Sequence, residues 1–359
     1  MERVYNFSAG PSTMPVSVLE TAAAEMSCFG ETGVSVMEMS HRSRMYVEIF
    51  DEAVSLIREL MAIPDNYSVL MLQGGAWGQF SAVPMNLLSE SGAALYVDSG
   101  SFAHGALVEA RKYGNVDVVA SSRDDGYRFV PEIPNEALKR SADYFYITTN
   151  NTIFGTRYRS VPRTVAPLVA DMSSNILSEP YDVNDFGLIF AGAQKNIGPA
   201  GLTVVIVRND LLGKERPYTP SIMSYKKMAD QGSMLNTPTT YSIYLAGLCM
   251  KWLKGLGGVA AIEKINIEKT KLLYDFIDDS ALFKGVSDAP FRSRMNVTFR
   301  TGDEETDDRF VKFAAKEGLI NLKGHRSVGG MRASIYNAMA TEGVQKLVEV
   351  MKRFEAQNK

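Results

Sequence analysis

The feature that most constrains the fold is a regular alternation of short apolar segments with amphipathic, helix-length segments, which runs from Pro64 to about residue 207. The apolar segments have the length and composition of buried strands, and they occupy residues 69–72, 94–97, 117–119, 144–148, 165–170, 188–190 and 203–207. Strands that alternate with helices pair mainly in parallel, because each helix carries the chain back to the same edge of the sheet. The sequence therefore predicts an α/β fold with a mainly parallel seven-stranded sheet, covered by helices such as 103–113 and 134–140.

The segments on either side of this alternation predict an extended N-terminal arm and a smaller C-terminal domain. Residues 1–15 are punctuated by glycine and proline, and we expect this arm to pack near the active site. A helix over 241–256 is followed by a glycine pair, which is a common helix stop. We place the domain boundary there, between a large domain (16–258) and a small α+β domain (259–359).

Periodicity predicts the remaining elements less sharply. Helices are predicted at 16–28, 45–61, 259–277, 306–316 and 342–355, and strands at 293–300 and 331–336. The segment 33–44 begins with a strand-like piece that runs into a polar cluster, and the acidic segment 301–308 is typical of a solvated loop.

Composition excludes several classes of function. The 359 residues include 38 basic and 41 acidic side chains, so the net charge of −3 does not indicate a nucleic-acid or membrane partner. Cys28 and Cys249 are too few for a disulfide framework and too isolated for a metal site, which favours a reducing compartment. No secretory leader is recognisable, and no apolar run reaches the roughly 18 residues of a membrane span. We expect a cytoplasmic protein.

One lysine stands out, because it lies in a tight connection between two predicted core strands. Lys195 is the only charged residue of 191–201, a segment rich in glycine and alanine. Loss of water around such an amine lowers its pKa and makes it available as a nucleophile toward aldehydes. The alternative is a lysine whose stem packs on the loop while its amine reaches solvent, as most lysines do.

Two further features follow predicted strands, where open parallel sheets bind their ligands. The glycine turn at 73–79 opens a predicted helix, so its backbone amides and helix dipole favour a phosphate, although a plain tight turn is an equal alternative. Asp171 ends the strand 165–170 and needs a cationic or hydrogen-bonding partner, or else caps a helix. Pyridoxal-phosphate chemistry requires at least an aspartate that keeps the pyridine nitrogen protonated and a lysine that forms a Schiff base with the aldehyde.

Two of the three histidines are followed by arginine, at His41-Arg42 and His325-Arg326. An arginine offers a planar donor fork for phosphate or carboxylate, and an adjacent histidine adds a donor, although chance can also place such pairs. Arg332 begins an apolar strand, where its charge would need an anion.

Several motifs, in order and along the whole chain, resemble those of the phosphoserine aminotransferases. They are NFSAGP at 6–11, SHR at 40–42, AGAQKNIGPAG at 191–201, NTP at 236–238 and KGHRSVGGMRASIYNA at 323–338. The resemblance implies a pyridoxal 5'-phosphate enzyme of fold type I, a homodimer with active sites at the subunit interface. It also implies transfer of an amino group from L-glutamate to 3-phosphohydroxypyruvate, giving O-phospho-L-serine and 2-oxoglutarate.

The resemblance extends to individual positions. Lys195 resembles the lysine that forms a Schiff base with the cofactor, and Asp171 the partner of the pyridine nitrogen. Other cofactor positions are matched by Ala76, Trp77, Phe102, Thr152 and Gln194, with Asn236 and Thr237 reaching the cofactor phosphate from the neighbouring subunit. The substrate phosphate site is matched by His41, Arg42, His325 and Arg326, and the substrate carboxylate site by Arg332.

The chain also departs from that pattern. Phe102 stands where a tryptophan often stacks on the cofactor ring, and Trp77 where an arginine is common. A phenylalanine can still stack, and backbone contacts at position 77 survive the change.

Other functions remain open at this point. Another pyridoxal-phosphate aminotransferase or a lyase could use the same scaffold, but a cysteine desulfurase needs a mobile cysteine, whereas Cys28 and Cys249 are predicted to lie in helices. A cofactor-binding regulator without turnover would not need paired anion sites, and a mononucleotide enzyme would be expected to carry a Walker lysine. Use of 4-phosphohydroxy-L-threonine, in vitamin B6 biosynthesis, is also open.

Overall fold

A computed structural model describes residues 3–358, so Met1, Glu2 and Lys359 of the predicted arm and small domain lie outside the described residues. Its centre is a seven-stranded sheet. In chain order the strands are β2 (Tyr67–Leu72), β3 (Ala93–Asp98), β4 (Asn115–Ser121), β5 (Tyr144–Thr148), β8 (Leu168–Asp171), β9 (Leu188–Gly192) and β10 (Thr203–Arg208). Their order across the sheet is β2-β10-β9-β8-β5-β3-β4. Only β10 pairs antiparallel with its two neighbours, so the predicted mainly parallel sheet is confirmed.

Both faces of this sheet are buried, which explains why its strands are continuously apolar. Along β2, Val69 and Met71 point into one hydrophobic cluster, and Leu70 and Leu72 point into the other. Helices α2 (Arg44–Leu60) and α7 (Thr240–Gly255) cover the first face, and α3 (Gly75–Leu87), α4 (Ser101–Ala110) and α6 (Tyr225–Asp230) cover the second. Each fully buried aliphatic side chain contributes about 1.5–3 kcal/mol through removal from water.

The C-terminal part has its own sheet and core. Strands β11 (Lys284–Gly285), β12 (Asn296–Arg300) and β14 (Met331–Ser334) form an antiparallel sheet, covered by α8 (Val259–Asp279), α9 (Glu304–Lys316) and α10 (Thr341–Gln357). The rings of Phe283, Phe310 and Phe354 pack in its centre with centroid separations of 4.9–6.3 Å. The division at residue 258 remains a prediction.

The N-terminal arm joins this C-terminal core. Strand β1 (Tyr5–Asn6) pairs in parallel with β13 (Leu319–Ile320), and Phe7 is fully buried in the C-terminal hydrophobic cluster. The arm therefore links the two ends of the sequence. The elements not yet given are α1 (Val16–Ala24), α5 (Asn135–Leu138), β6 (Asn150–Asn151) and β7 (Thr156–Arg157).

Two local predictions were wrong. The strand-like piece in 33–44 contains instead a short 3-10 helix, Val36–Glu38, because the side chains of Ser35 and Glu38 cap its first turn reciprocally. The predicted acidic loop 301–308 contains the start of α9, whose N-cap is Asp303. Asp307 within it is buried and accepts hydrogen bonds from both the amide and the hydroxyl of Thr301.

Two predicted helices are shorter than expected. The helix predicted over 134–140 is the single turn α5, and the one over 16–28 ends at Ala24, so that Cys28 lies outside any helix. In residues 3–358 no single helix is long and apolar enough to cross a membrane; α7 and α8, which meet at 81°, pass that test only when taken together.

Candidate active site

The direction of the strands gathers the predicted functional residues at one edge of the large sheet. Strands β2, β3, β5, β8 and β9 run in the same direction, because β10 is antiparallel to both β2 and β9. Their carboxyl ends therefore meet, and the residues that follow them surround a cavity of about 300 Å³. The glycine turn follows β2, Phe102 follows β3, Thr152 follows β5, and Asp171 and Lys195 follow β8 and β9.

Lys195 is presented by a tight turn between β9 and β10. The amide of Gly198 donates to the carbonyl of Ala193 (2.8 Å), and a Cβ atom at Gly198 would lie only 3.1 Å from the Cα of Ala246 in α7. From the arm, the hydroxyl of Ser12 donates to the carbonyl of Lys195 at 2.6 Å. The turn is thus held from both sides, so the amine has a defined position.

Burial lowers the pKa of the Lys195 amine from 10.5 to about 8. The charge of Asp171 opposes this change, whereas the charge of Arg332 adds to it. Its Nζ donates to the Thr152 hydroxyl at 2.8 Å and lies 5.6 Å from the centre of the Phe102 ring. A neutral, oriented amine is what attack on an aldehyde requires.

Asp171 is almost fully buried, and burial raises the pKa of its carboxyl group. Hydrogen bonds from Ser173 and the charge of Lys195 oppose that rise. Its Oδ1 accepts from the Ser173 amide at 2.9 Å, and no helix begins there, so the reading of Asp171 as a helix N-cap was wrong. The carboxylate instead faces the cavity, where a protonated ring nitrogen would be a suitable partner.

Arg332 reaches the cavity from β14. Its Nη1 donates to the carbonyl of Thr152 at 3.4 Å, so Thr152 touches both Lys195 and Arg332. The Arg332 Nε is buried without a hydrogen-bond partner in the described part of the chain, and burial lowers the pKa of the guanidinium. A half-buried guanidinium with an unpaired Nε is suited to a carboxylate ligand.

The glycine turn has backbone geometry suited to an anion. Gly74 and Gly75 have φ angles of 94° and 64°, and the Gly75 amide donates to the Thr203 hydroxyl at 2.8 Å. Helix α3 has no side-chain cap, so the amides of its first turn, including Ala76 and Trp77, lack intrahelical acceptors. These amides and the helix dipole are suited to a phosphate.

Most, but not all, of the predicted site residues line this cavity. Those on its wall are Ala76, Trp77, Phe102, Thr152, Asp171, Gln194, Lys195, His325 and Arg332. Five others are not on the wall within the same chain: His41, Arg42, Asn236, Thr237 and Arg326.

Their surroundings differ. His41 Nε2 is buried without a hydrogen-bond partner among residues 3–358, whereas Arg42 and Arg326 are exposed. Asn236 and Thr237 are exposed beside the glycine turn, where the Thr237 carbonyl accepts from Gln73 at 3.1 Å. Beside Arg326, burial and the charges of Arg332 and Arg326 lower the pKa of His325.

Sequence reasoning missed several wall residues. They are Ala9, Gly10, Thr148, Asn150, Ile153, Ser173 and Ser174. The run Thr-Thr-Asn-Asn-Thr at 148–152, directly after an apolar strand, was a signal that could have found Thr148 and Asn150 along with Thr152. The Thr148 hydroxyl is buried without a partner within the described residues, which leaves it available to a ligand.

The cavity fits pyridoxal phosphate on four counts. It combines a low-pKa amine, a buried carboxylate, an aromatic ring and an uncapped helix N-terminus within one wall. These groups match the aldehyde, ring nitrogen, ring face and phosphate of that cofactor.

Comparison with known proteins agrees with this geometry. The family model described as aminotransferase class-V matches residues 4–347. A phosphoserine aminotransferase of Bacillus cereus is 53% identical, with 100% of each chain covered. The structure of phosphoserine aminotransferase from Bacillus circulans subsp. alkalophilus is 44% identical with a TM-score of 0.97, and covers 100% of both chains.

A second similar structure contains the cofactor. It is the pyridoxal-phosphate-bound phosphoserine aminotransferase of Trichomonas vaginalis, 39% identical with a TM-score of 0.91, covering 98% of this chain and 100% of its own.

Proposed function

Because this chain belongs to the class-V aminotransferase family and is a pyridoxal-phosphate-dependent phosphoserine aminotransferase by full-length similarity, we propose its reaction. It transfers the amino group of L-glutamate to 3-phosphohydroxypyruvate, giving O-phospho-L-serine and 2-oxoglutarate for serine biosynthesis. The observation that carries this proposal is the Lys195 amine, with a pKa of about 8, beside Asp171 and Arg332 in one cavity.

We assign the cofactor contacts from the cavity wall. Asp171 would hold the ring nitrogen, Phe102 and Thr152 would border the ring, and the amides of Ala76 and Trp77 would hold the phosphate. Gln194 precedes the reactive lysine and completes this set. When bound, pyridoxal phosphate supplies an aldehyde and a protonated ring that accepts an electron pair.

The protein's own residues then perform the proton transfers. Lys195 would hold the cofactor through its aldehyde, and the substrate amine would take its place there; the free Nζ would then accept the proton from the substrate α-carbon. The Thr152 hydroxyl, 2.8 Å from that nitrogen, orients the amine. Arg332 binds the α-carboxylate of each substrate, so that the α-carbon faces Lys195 in both half-reactions. The two half-reactions share one site and therefore follow ping-pong kinetics.

A homodimer would complete the phosphate sites. His41, Arg42, Asn236 and Thr237 have anion-binding chemistry but do not line their own chain's cavity. Exposed apolar side chains flank the His41-Arg42 pair: Met37 and Met45 are 56% and 37% exposed. We propose that a second copy covers this surface, supplying His41 and Arg42 to the substrate phosphate, and Asn236 and Thr237 to the cofactor phosphate.

The same basic site would serve both substrates. With His325 and Arg326 from the cavity's own chain, it would bind the phosphate of one substrate and the side-chain carboxylate of glutamate. We extend the proposal to 4-phosphohydroxy-L-threonine, whose phosphate and α-carboxylate present the same anions. Its use by this protein, and a role in pyridoxine biosynthesis, would be tested by assaying that compound directly.

The two cysteines support a reducing, cytoplasmic location, and they argue against a cysteine desulfurase. Both are free, and neither lines the cavity. Cys249 is buried in α7, where burial raises the pKa of its thiol to about 12, so it is inert.

Visible absorption tests the proposal. We expect a yellow protein that loses its colour with glutamate and regains it with 3-phosphohydroxypyruvate, but not with unphosphorylated hydroxypyruvate. Lys195→Ala should respond to neither substrate. A purified wild-type protein that takes up no pyridoxal phosphate would refute the assignment of this cavity.

A further inference from the structure

A cluster of three asparagines, two of them buried and one half-buried, adjoins the Lys195 turn and is not used by the reaction proposed above. The asparagine cluster consists of Asn196, Asn266 and Asn337. These residues belong to the Lys195 turn, to helix α8 and to the segment that follows β14. The cluster therefore joins three separate parts of the chain.

Each asparagine binds one of three consecutive backbone carbonyls. The side-chain amides of Asn196, Asn337 and Asn266 donate to the carbonyls of residues 176, 177 and 178, at 2.9, 2.8 and 3.1 Å. This carbonyl segment lies just beyond Asp171 in the chain. The hydrogen bonds thus tie the segment after Asp171 to the residue that follows Lys195.

The three asparagines also bind one another. The backbone amide of Asn337 donates to Asn196 Oδ1 at 3.0 Å, and the Asn266 side chain donates to Asn337 Oδ1 at 2.9 Å. Asn266 and Asn337 are 0% and 5% exposed. Displacement of Asn337 therefore moves the hydrogen-bond partner of Asn196.

A buried lysine fixes the segment that carries Asn337. The side-chain nitrogen of Lys269, one turn after Asn266 in α8, donates to the carbonyls of Ile335, Tyr336 and Met339 at 3.3, 2.9 and 3.0 Å. Lys269 is fully buried, and its nitrogen lies within hydrogen-bond distance of three carbonyl acceptors. The same segment continues directly from the strand of Arg332.

Two energetic costs are concentrated at this cluster. Leu177, whose carbonyl binds Asn337, has a φ of 61°, which is unfavourable for a side chain branched beyond Cβ. Asn266 Oδ1 is buried without a partner in the described part of the chain. Strain and unsatisfied polar atoms of this kind tend to occur at functional sites, where the surrounding structure holds them in place.

We propose that Asn337, held by Asn266 and Lys269, is a positioning residue for Lys195: through Asn196 it keeps the amine buried and aligned with Arg332. The inference rests on the proposed role of Lys195 but concerns residues outside the cavity wall. If this is so, loosening the asparagine cluster lets water reach the Lys195 amine, although no group that touches a substrate has been removed.

The test compares Asn337→Ala with Asn86→Ala. Asn86 is a matched control, since it is 2% exposed, its side-chain amide donates to Ala82 and Met223, and its oxygen accepts from Tyr225. The assay labels full-length, cofactor-free protein with acetic anhydride across a pH series and follows the Lys195 peptide by mass spectrometry. Activity and melting temperature are measured in parallel on the cofactor-loaded protein.

We expect both variants to melt earlier, but only Asn337→Ala to change Lys195. Its labelling midpoint should rise by about one pH unit toward that of a solvated lysine, and kcat should fall about tenfold or more through misalignment. An unchanged midpoint and kcat in Asn337→Ala would overturn the inference.

A second variant and a second control keep the test decisive. If Asn337→Ala does not fold, Asn196→Ala removes the side-chain oxygen that accepts from the Asn337 backbone amide, at a half-buried position, and should raise the midpoint in the same way. Lys195→Ala separates this inference from the proposed function. If that variant retains turnover, the role of Lys195 is wrong; if it loses turnover while the asparagine variants match Asn86→Ala, only the positioning role is wrong.

Discussion

The charges of Asp171 and Arg332 should change the reactivity of Lys195 in opposite directions. Burial lowers its pKa from 10.5 to about 8, a difference that corresponds to about 3.4 kcal/mol between its two protonation states. At pH 7 about one amine in ten is then neutral, against about one in three thousand for a solvated lysine, so the reactive fraction rises about 300-fold. Asp171 raises this pKa and Arg332 lowers it.

Two substitutions separate these contributions. Asp171→Asn removes the negative charge and should move the labelling midpoint of Lys195 below that of the wild type, whereas Arg332→Met removes the positive charge and should move it above. The assay is the peptide-resolved labelling of cofactor-free protein described above. A wild-type midpoint close to 10.5, or both substitutions moving it in the same direction, would refute the electrostatic reasoning.

Three further predictions concern substrate selection, pH and packing. Arg42→Ala and Arg326→Ala should each keep the bound-cofactor spectrum but lose about one to two decades in kcat/KM on 3-phosphohydroxypyruvate, because one charge-assisted hydrogen bond contributes about 1.5–3 kcal/mol; unchanged efficiency contradicts the phosphate assignment. Burial lowers the pKa of Lys269 from 10.5 to about 7, so the unfolded chain binds more protons between these values and stability should rise with pH. Between pH 7 and pH 9, the free energy of unfolding in guanidinium should rise by about 2 kcal/mol more for the wild type than for Lys269→Met. An equal rise in both proteins would mean that Lys269 stays charged in the folded state. Phe310→Ala should destabilise the C-terminal core by about 3–5 kcal/mol in denaturant unfolding, because Phe310 is fully buried against Phe283 and Phe354; a loss below about 1 kcal/mol would mean that the core repacks.

The large sheet could be predicted because burial on both faces leaves a strong signal in the sequence. Strands such as β5 and β9 are apolar at nearly every position, since each side chain enters one of the two cores. Predictions failed where local hydrogen bonds compete with hydrophobic pattern. The Ser35 and Glu38 caps produce a 3-10 turn, and the Asp303 cap starts a helix inside an acidic run that looked like a loop.

The candidate site was only partly predictable for a related reason. Lys195 and Asp171 were found because each is an ionisable residue next to an apolar strand, a costly arrangement that calls for a partner. Thr148, Asn150 and Ser174 were missed, because uncharged polar residues after a strand are equally common in ordinary turns.

The sequence by itself determined which chemical groups follow each strand: an amine after β9, a carboxylate after β8 and glycine amides after β2. Only the tertiary structure decided which of them meet. Thr152 touches Lys195 and also Arg332, a residue 180 positions away, because the C-terminal sheet packs over the ends of the central strands. Such contacts arise from the register and packing of whole elements, and long-range packing leaves no periodic trace in the order of residues.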